Sequence, residues 1–335
     1  MIVTRVETKD FSREEWTVLI SGFRDLSLPQ TWDYGAVLDG WQVERTVILA
    51  EKGEPPLGAV QAMIRPRARR GRRGGAGCPR SPVAAGGGHR SPDIGLSDGR
   101  VTPALAGASF VHPPPPPLEL EGIYPVRGFV PVRPGWASVL VDLTIPPEAL
   151  RNRLRPRWRV LLEEAEGSEL EGVVCADETA FESFLVRFPR THTFAAGLTP
   201  VAVRRLQAAL SPEQRLLVCE VRRAGRSLGG ALMGFYGNTA EYLGSTVDAG
   251  EDTPRVERFL LWQAMLAARA RGALTFDLGG VDRQRMTPEL YCVKADVGGV
   301  PYRLAHEMEA CGGDLLSRLI RWQARRTLAA DPSPV

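Results

Sequence analysis

The chain has 335 residues, of which 44% are hydrophobic, and this length fits two domains of ordinary size better than one. No stretch approaches the roughly 20 apolar residues of a membrane-spanning helix, and the N-terminus lacks the basic start and apolar middle of a signal peptide. We therefore expect a cytoplasmic protein. Five scattered cysteines form no C-x-x-C pair, which argues against a disulfide framework and against a thiolate zinc site.

The net charge of +3 is unevenly distributed along the chain. Residues 65–118 contain nine arginines and two aspartates, so the rest of the chain is slightly acidic. Of the 42 cationic residues, only Lys9, Lys52 and Lys294 are lysines, a bias that is typical of GC-rich genes. One basic segment of this kind is weak evidence for nucleic-acid binding by the whole chain.

The N-terminal residues predict two helices followed by a hairpin. Ser12 and Glu15 have the spacing of a capping box for the first helix. Thr31 can cap a second, shorter helix. Two strands follow, at 41–50 and 57–65, joined by the turn E-K-G-E-P-P. This arrangement is the beginning of an α+β domain.

Residues 65–118 interrupt that pattern. They contain nine Arg, ten Pro and ten Gly, and no apolar period of 2 or 3.6 residues is visible. One interpretation is a genuine irregular or disordered insertion. The other is local out-of-frame translation of a GC-rich gene, which yields mostly Arg, Pro, Gly and Ala. Either way, the segment lies inside a domain whose sheet is only half built.

Regular patterning returns by Trp136 and predicts a second α+β domain rather than a doubly wound nucleotide-binding fold. We expect strands at 137–143, 170–176 and 274–280, an antiparallel three-stranded meander within 214–247, and helices at 146–166, 177–188, 200–210 and 254–273. A final helix is predicted at 312–329.

Several short motifs of this second half occur in a characteristic order. They are V-D-L at 141–143, A-E-Y-L-G-S at 240–245, L-L-W-Q-A at 260–264, F-D-L-G-G-V at 276–281, V-K at 293–294 and P-Y-R-L at 301–304. Together they resemble the second domain of Fem-type peptidoglycan aminoacyltransferases. The motif L-P-Q-T-W-D-Y-G at 28–35 resembles the opening of the same family. The resemblance covers about residues 15–65 and 136–310.

The resemblance implies an α+β fold with two tandem GNAT-like (acyl-CoA N-acyltransferase-like) domains. Their sheets are expected to be mixed or antiparallel, and the irregular segment interrupts the first. We expect the first domain at 1–135 and the second at 136–310. A C-terminal helix within 311–335 is expected to pack back on the first domain.

The resemblance also implies an activity, that of an aminoacyltransferase in peptidoglycan biosynthesis, cell-wall organisation and cell shape. Such an enzyme takes an aminoacyl group from aminoacyl-tRNA. The acceptor is an amine on the stem peptide of a muramyl-peptide precursor, which is nucleotide-linked or lipid-linked. The chemistry needs a positive or donor group near the developing oxyanion. Neither a cofactor nor a metal is expected.

Lys294 and Tyr242 are the first candidate site residues. Lys294 matches the lysine that the family places near the aminoacyl end, where an ammonium can stabilise negative charge. We therefore expect Lys294 to be catalytic; the alternative is a solvated lysine beside a turn. Tyr242 matches a family tyrosine that faces the substrate, and the alternative is a core aromatic residue on a meander strand.

Further substrate-binding candidates come from two other motifs. Asp277, Gly279 and Gly280 end a strand at a turn that allows backbone to approach a ligand, and the alternative is an aspartate that accepts hydrogen bonds from turn amides. Gln30, Trp32 and Tyr34 resemble the first-domain rim of the muramyl-peptide pocket. For both aromatic residues the alternative is ordinary helix packing.

The C-terminal helix is predicted to carry a basic face. Arginines with helical spacing can contact tRNA or, transiently, a membrane surface that carries the precursor; they are Arg318, Arg321, Arg325 and Arg326. A solvated helix face is the alternative.

Three departures from the family pattern are visible. Leu38 stands where a phosphate-binding lysine is common, the middle of the first domain is replaced by 65–118, and Asp296 stands where a glycine is usual.

Two other functions compete with aminoacyl transfer. An acyl-CoA-dependent GNAT enzyme needs a glycine-rich pyrophosphate turn, whereas T-V-D-A-G-E-D before the helix at 254–273 holds a single glycine. A non-enzymatic nucleic-acid binder would use 65–118. That segment has only one aromatic residue for base stacking, Phe110.

Overall fold

The structure is a computed structural model that describes residues 5–23, 26–38, 42–49, 56, 58–66, 108–112, 129–133, 136–188, 194, 198–250, 252–283, 286–303, 307–310 and 322. In chain order the elements are β1 (Arg5–Thr8), α1 (Arg13–Ser21), α2 (Trp32–Ala36), β2 (Gln42–Leu49), β3 (Gly58–Pro66), β4 (Ala108–His112), β5 (Phe129–Arg133), β6 (Ala137–Asp142), α3 (Pro147–Arg153), α4 (Pro156–Glu166), β7 (Leu170–Cys175), α5 (Glu178–Arg187), α6 (Pro200–Ala209), β8 (Leu217–Arg223), β9 (Arg226–Tyr236), β10 (Thr239–Val247), α7 (Thr253–Ala270), β11 (Thr275–Asp277), α8 (Pro288–Ala295), β12 (Val300–Arg303) and β13 (Glu307–Ala310). The chain divides into two units, Met1–Trp136 with Arg303–Val335, and Ala137–Tyr302.

The first unit contains a four-stranded sheet in the order β1-β2-β3-β4 and a two-stranded ladder of β5 with β13. The predicted capping box opens α1: the Glu15 amide donates to Ser12 Oγ at 3.1 Å, and the Ser12 amide donates to Glu15 Oε2 at 2.8 Å. Apolar residues of α1 pack against β2 and β3 to form the core of this unit. The helix–helix–hairpin prediction for this region is confirmed.

The second unit is built on a seven-stranded mixed sheet in the order β12-β6-β11-β10-β9-β8-β7. The predicted meander is β8, β9 and β10, which pair antiparallel. β11 then pairs in parallel with β10 and antiparallel with β6. The prediction of an α+β fold with a mixed sheet is confirmed.

Two helical layers cover the central strands of this sheet. Helix α7 packs against β7–β10 and α4 on one face, and its apolar side lies in the main core. Helix α5 contacts β8 and β9, and Phe184 of α5 lies over Gly230, on the other face of β9 from the core residues Ala231 and Met233. Residues of β10 therefore alternate between the α7 core and the α5 side.

Several features differ from the predictions, and strands β1, β5, β12 and β13 were not predicted. The single helix expected at 146–166 is two helices, α3 and α4, because Pro156 disfavours the helical region for Arg155, which is extended at φ −60° and ψ 149°. Helix α8 was not predicted. Strand β4 lies within the segment expected to be irregular and pairs with β3, so tertiary pairing overrides the local composition there.

Two predicted features lie largely outside the described residues: residues 67–107 and 113–118 of the irregular region, and the helix expected at 312–329 apart from Trp322. Among the helices that the structure describes, none has the length and apolar character needed to cross a membrane.

Candidate active site

Three hydrogen-bond donors converge on the carboxylate of Asp277, the last residue of β11. The Ser138 hydroxyl donates to Oδ1 at 2.5 Å, and the Gly279 amide donates to the same oxygen at 2.9 Å. The Tyr302 hydroxyl donates to Oδ2 at 2.7 Å. A buried carboxylate requires such partners, because its charged form is costly to remove from water. The side chain therefore ties β6, β11 and β12 together.

The chain after β11 forms a turn at 278–281, here called the glycine turn. Gly279 and Gly280 have φ values of 65° and 97°, a left-handed conformation that side chains with a Cβ rarely adopt. The Gly280 amide donates to Ser138 Oγ at 3.1 Å. Both glycine amides are therefore engaged by side chains, those of Asp277 and Ser138.

Lys294, in the last turn of α8, is buried against this turn with 6% of its surface exposed. Its ammonium donates to the carbonyl oxygens of Leu278 at 2.6 Å and Gly280 at 3.1 Å. Burial lowers the pKa of Lys294 to about 8, while the negative charges of Asp277 and Glu241 act in the opposite direction. The alternative of a solvated lysine is thus excluded.

Three contacts fix the end of α8, and therefore Lys294. The Trp158 indole of α4 donates to the Val293 carbonyl at 2.8 Å. The Arg155 amide donates to the Asp296 carbonyl at 3.1 Å, and the two side chains form an ion pair at 3.1 Å. The carboxylate of Asp296 is therefore engaged by Arg155.

Tyr242 contributes to both the core and the site. It is buried in the main core, where its ring lies 6.3 Å from that of Phe276. The Lys294 ammonium lies 5.2 Å from the Tyr242 ring centroid, within range of a cation–π interaction. Burial raises the pKa of Tyr242, so its phenol stays protonated. The ring of Tyr242 is thus a core aromatic residue, as the alternative interpretation expected. Its contact with a substrate stays a prediction.

Glu241 is a second buried carboxyl group, next to Tyr242 on β10. It lies opposite Asp277 in the parallel pairing of β10 with β11, and 5% of its surface is exposed. The Tyr236 hydroxyl donates to Oε2 at 3.0 Å. Burial, and then the charge of Asp277, raise the pKa of Glu241 to about 8. A carboxyl group that titrates near neutrality can exchange protons with a substrate.

Gln30, Trp32 and Tyr34 lie together in the first unit, around the start of α2. The Gln30 amide is buried in reciprocal hydrogen bonds with the Gln61 backbone: Oε1 accepts from the Gln61 amide at 2.8 Å, and Nε2 donates to the Gln61 carbonyl at 3.3 Å. Tyr34 is fully buried. Trp32 is half-buried, with the Arg45 guanidinium 3.6 Å from its ring centroid. Their contact with substrate stays a prediction.

Four residues of the site were not predicted from the sequence: Ser138, Tyr236, Glu241 and Tyr302. Glu241 had a local signal, since it is a carboxylate between Ala240 and Tyr242 in a strand of the meander. Ser138 had none, because it is 139 positions from its partner Asp277. In the part of the chain that the structure describes, no three His, Cys, Asp or Glu side chains form a group suited to a metal ion. The C-terminal arginines predicted to contact tRNA lie outside the described residues.

An opening in the sheet lies beside these groups. β10 extends to Val247, but its parallel pairing with β11 ends at Glu241 and Asp277. Among the described residues, no strand pairs with β10 beyond Glu241 on that side. The free backbone edge at 242–247 can pair with an extended substrate segment.

Comparison with known proteins agrees with this fold. Residues 149–285 match the family model described as an acetyltransferase (GNAT) domain. The crystal structure of FemX superposes with a TM-score of 0.69 at 14% identity, over 94% of this chain and 100% of that one. A tandem GNAT protein from the clavulanic acid biosynthesis pathway gives 0.49 at 12% identity, over 92% and 100%. The C-terminal domain of a putative lysylphosphatidylglycerol synthetase from Agrobacterium fabrum gives 0.44 at 14% identity, over 62% and 69%. No curated protein sequence matches the chain.

The chain therefore has the tandem GNAT fold of FemX, and the predicted resemblance to the Fem-type fold is confirmed. The GNAT-domain match and this fold together indicate an acyltransferase.

Proposed function

We propose that this chain transfers an aminoacyl group from aminoacyl-tRNA to an amine on the stem peptide of a muramyl-peptide precursor. The observation that carries the proposal is the buried ammonium of Lys294 beside the opening between β10 and β11. The match of residues 149–285 to an acetyltransferase (GNAT) domain supports an acyl transfer.

The reaction proceeds by direct aminolysis. The acceptor amine attacks the ester carbonyl, a C–N bond forms, and the bond from the carbonyl carbon to the ribose oxygen breaks. Negative charge develops on the carbonyl oxygen in the transition state. Two donors of Lys294 are used by the carbonyls of Leu278 and Gly280, and the third is available to that oxygen. A donor held in a water-poor site before the reaction is worth far more than one in water.

The surroundings of Lys294 keep this donor oriented. The carbonyls and the last turn of α8 present negative dipole ends to the ammonium, which offsets part of its burial cost. Asp277 holds the glycine turn that supplies those carbonyls. We therefore propose that Asp277, Gly279 and Gly280 act by positioning Lys294, and that Tyr242 forms the adjacent wall.

In the first unit, we propose Trp32 as the residue that contacts the precursor. Its ring is half-buried and stacked against Arg45, an arrangement that can hold a sugar or peptide face. Gln30 and Tyr34 are buried, so we propose that they shape this part of the first unit rather than contact the precursor directly.

The turn between β10 and α7 favours aminoacyl-tRNA over acyl-CoA as donor. A pyrophosphate site there needs free backbone amides and no negative charge. Instead, the Gly250 amide donates to Thr253 Oγ1 at 2.9 Å, and the Thr253 amide donates to the Gly250 carbonyl at 3.1 Å. The turn also carries the carboxylates of Asp248 and Asp252, each paired with an arginine. These features oppose pyrophosphate binding.

A comparison of donors tests the proposal. The purified chain is incubated with a nucleotide-linked muramyl pentapeptide and either tRNA charged with a mixture of labelled amino acids or labelled acetyl-CoA. We expect label in the peptide from tRNA and none from acetyl-CoA. Transfer from acetyl-CoA alone would assign the chain to the acyl-CoA-dependent class instead.

A further inference from the structure

Glu241 lies where the sheet opens. It is the last residue of β10 that pairs with β11, so it borders the unpaired strand edge at 242–247. Its neighbours Ala240 and Tyr242 belong to the core under α7, and the alternation of a strand places Glu241 on the other face. Its carboxyl group therefore lies on the face of the sheet opposite the α7 core, at the position where the pairing of β10 with β11 ends.

One oxygen of Glu241 is held and the other is available. Oε2 accepts from the Tyr236 hydroxyl at 3.0 Å. Oε1 has no hydrogen-bond partner among the residues that the structure describes. Asp277 differs in this respect, since it accepts from Ser138, Gly279 and Tyr302. Of the two neighbouring carboxyl groups, Glu241 is the one with free acceptor capacity.

We infer that Glu241 accepts the proton lost by the attacking amine, and that Tyr236 is the positioning residue that orients its carboxyl group. This inference rests on the proposed aminoacyl transfer. As the C–N bond forms, a proton passes from the amine nitrogen to Glu241 Oε1. As the ester bond breaks, Glu241 returns that proton to the ribose oxygen. Atoms and charge balance without a further reactant.

The groups around Glu241 suit this exchange. Four titratable groups act on Glu241: Tyr236 on β9, Asp277 on β11, Lys294 on α8 and Tyr302 on β12. Burial and Asp277 raise the pKa of Glu241, and Lys294 opposes them. The result is a carboxyl group that takes up and releases a proton near neutral pH, where general acid–base catalysis is most effective.

The test compares Glu241→Gln with Glu220→Gln in the tRNA-dependent transfer assay between pH 5.5 and 9. Glu220 is a matched control: it is a buried glutamate on β8 of the same sheet, paired with Arg222. We expect Glu241→Gln to lower kcat by about 10²- to 10⁴-fold with little change in KM, and to weaken the rise of rate with pH relative to Glu220→Gln, in which the acceptor amine and Glu241 both still titrate. Glu220→Gln should stay within about threefold of the wild type.

If Glu241→Gln does not fold, Glu241→Asp replaces it in the test. This variant keeps a carboxyl group, so it should retain the rise of rate with pH at a lower kcat. A glutamine variant that folds, keeps that rise and loses less than about threefold in kcat overturns the inference. A wild-type chain that transfers nothing from tRNA overturns the proposed function itself, and this result is read before any variant is compared.

Discussion

The buried carboxyl group of Glu241 makes the stability of the second unit depend on pH in a way that Glu241→Gln should remove. The pKa of Glu241 is raised to about 8 in the folded chain from the ordinary value of 4.5. Between these values the folded state holds one proton more than the unfolded state. Stability is therefore greatest below pH 4.5 and falls as the pH rises towards 8. Glutamine does not titrate, so the variant lacks this dependence.

The size of the effect follows from proton linkage. One proton changes the free energy of unfolding by about 1.4 kcal/mol per pH unit, so the wild type should lose about 3 kcal/mol relative to Glu241→Gln between pH 5 and pH 7. Urea unfolding, followed by circular dichroism at constant ionic strength, measures the difference, and pH effects at other sites cancel between the two proteins. A difference that is constant between pH 5 and 7 would refute the raised pKa.

Lys294→Met supplies a second measurement with the opposite sign. The pKa of Lys294 is lowered from 10.5 to about 8 on folding, so between these values the unfolded state binds more protons. The wild type should therefore gain stability relative to Lys294→Met as the pH rises from 8 to 10.

Two packing predictions concern close contacts around α8 and β6. Gly299→Ala should lower the free energy of unfolding by about 1–3 kcal/mol, because the added Cβ would lie 2.5 Å from the Leu140 carbonyl oxygen. Gly250→Ala is the control: nothing lies within 4 Å of its added Cβ, so it should be nearly neutral in the same thermal melt. Trp158→Phe should cost about 1–3 kcal/mol more than Trp262→Phe in urea unfolding, because only Trp158 leaves the buried Val293 carbonyl without its donor; equal losses would show that this hydrogen bond contributes nothing.

Features with a local cause were predictable from the sequence. The capping box of Ser12 and Glu15 satisfies backbone groups within one helical turn, and the meander strands are bounded by tight turns. Local sequence patterns failed where contacts between distant parts of the chain decide the secondary structure. Strand β4 exists because β3 pairs with it, although the surrounding composition is irregular. The break between α3 and α4 did have a local signal, because Pro156 follows the two extended residues that separate the helices.

The candidate site was predictable only in part. Lys294 and Asp277 were identified from motifs, but the sequence left open whether Lys294 was solvated and whether Asp277 accepted hydrogen bonds from turn amides. The fold buries Lys294 against the carbonyls of the glycine turn, which excludes a solvated lysine, and Asp277 does accept from the Gly279 amide of that turn. Tyr302 joins the network because β12 and β11 both flank β6 in the sheet, an arrangement that no spacing along the chain reveals. Glu241 had a local signal in its strand, but its position opposite Asp277 is visible only in the fold.

The most direct test of the account is single-turnover transfer from aminoacyl-tRNA to the muramyl pentapeptide by the wild type and by Lys294→Met. Lys9→Met, which removes an exposed ammonium in the first unit, is the control. We predict that the wild type and Lys9→Met transfer at similar rates, and that a folded Lys294→Met is slower by about 10²- to 10³-fold. Equal rates for Lys294→Met and the wild type would contradict the assignment of the site.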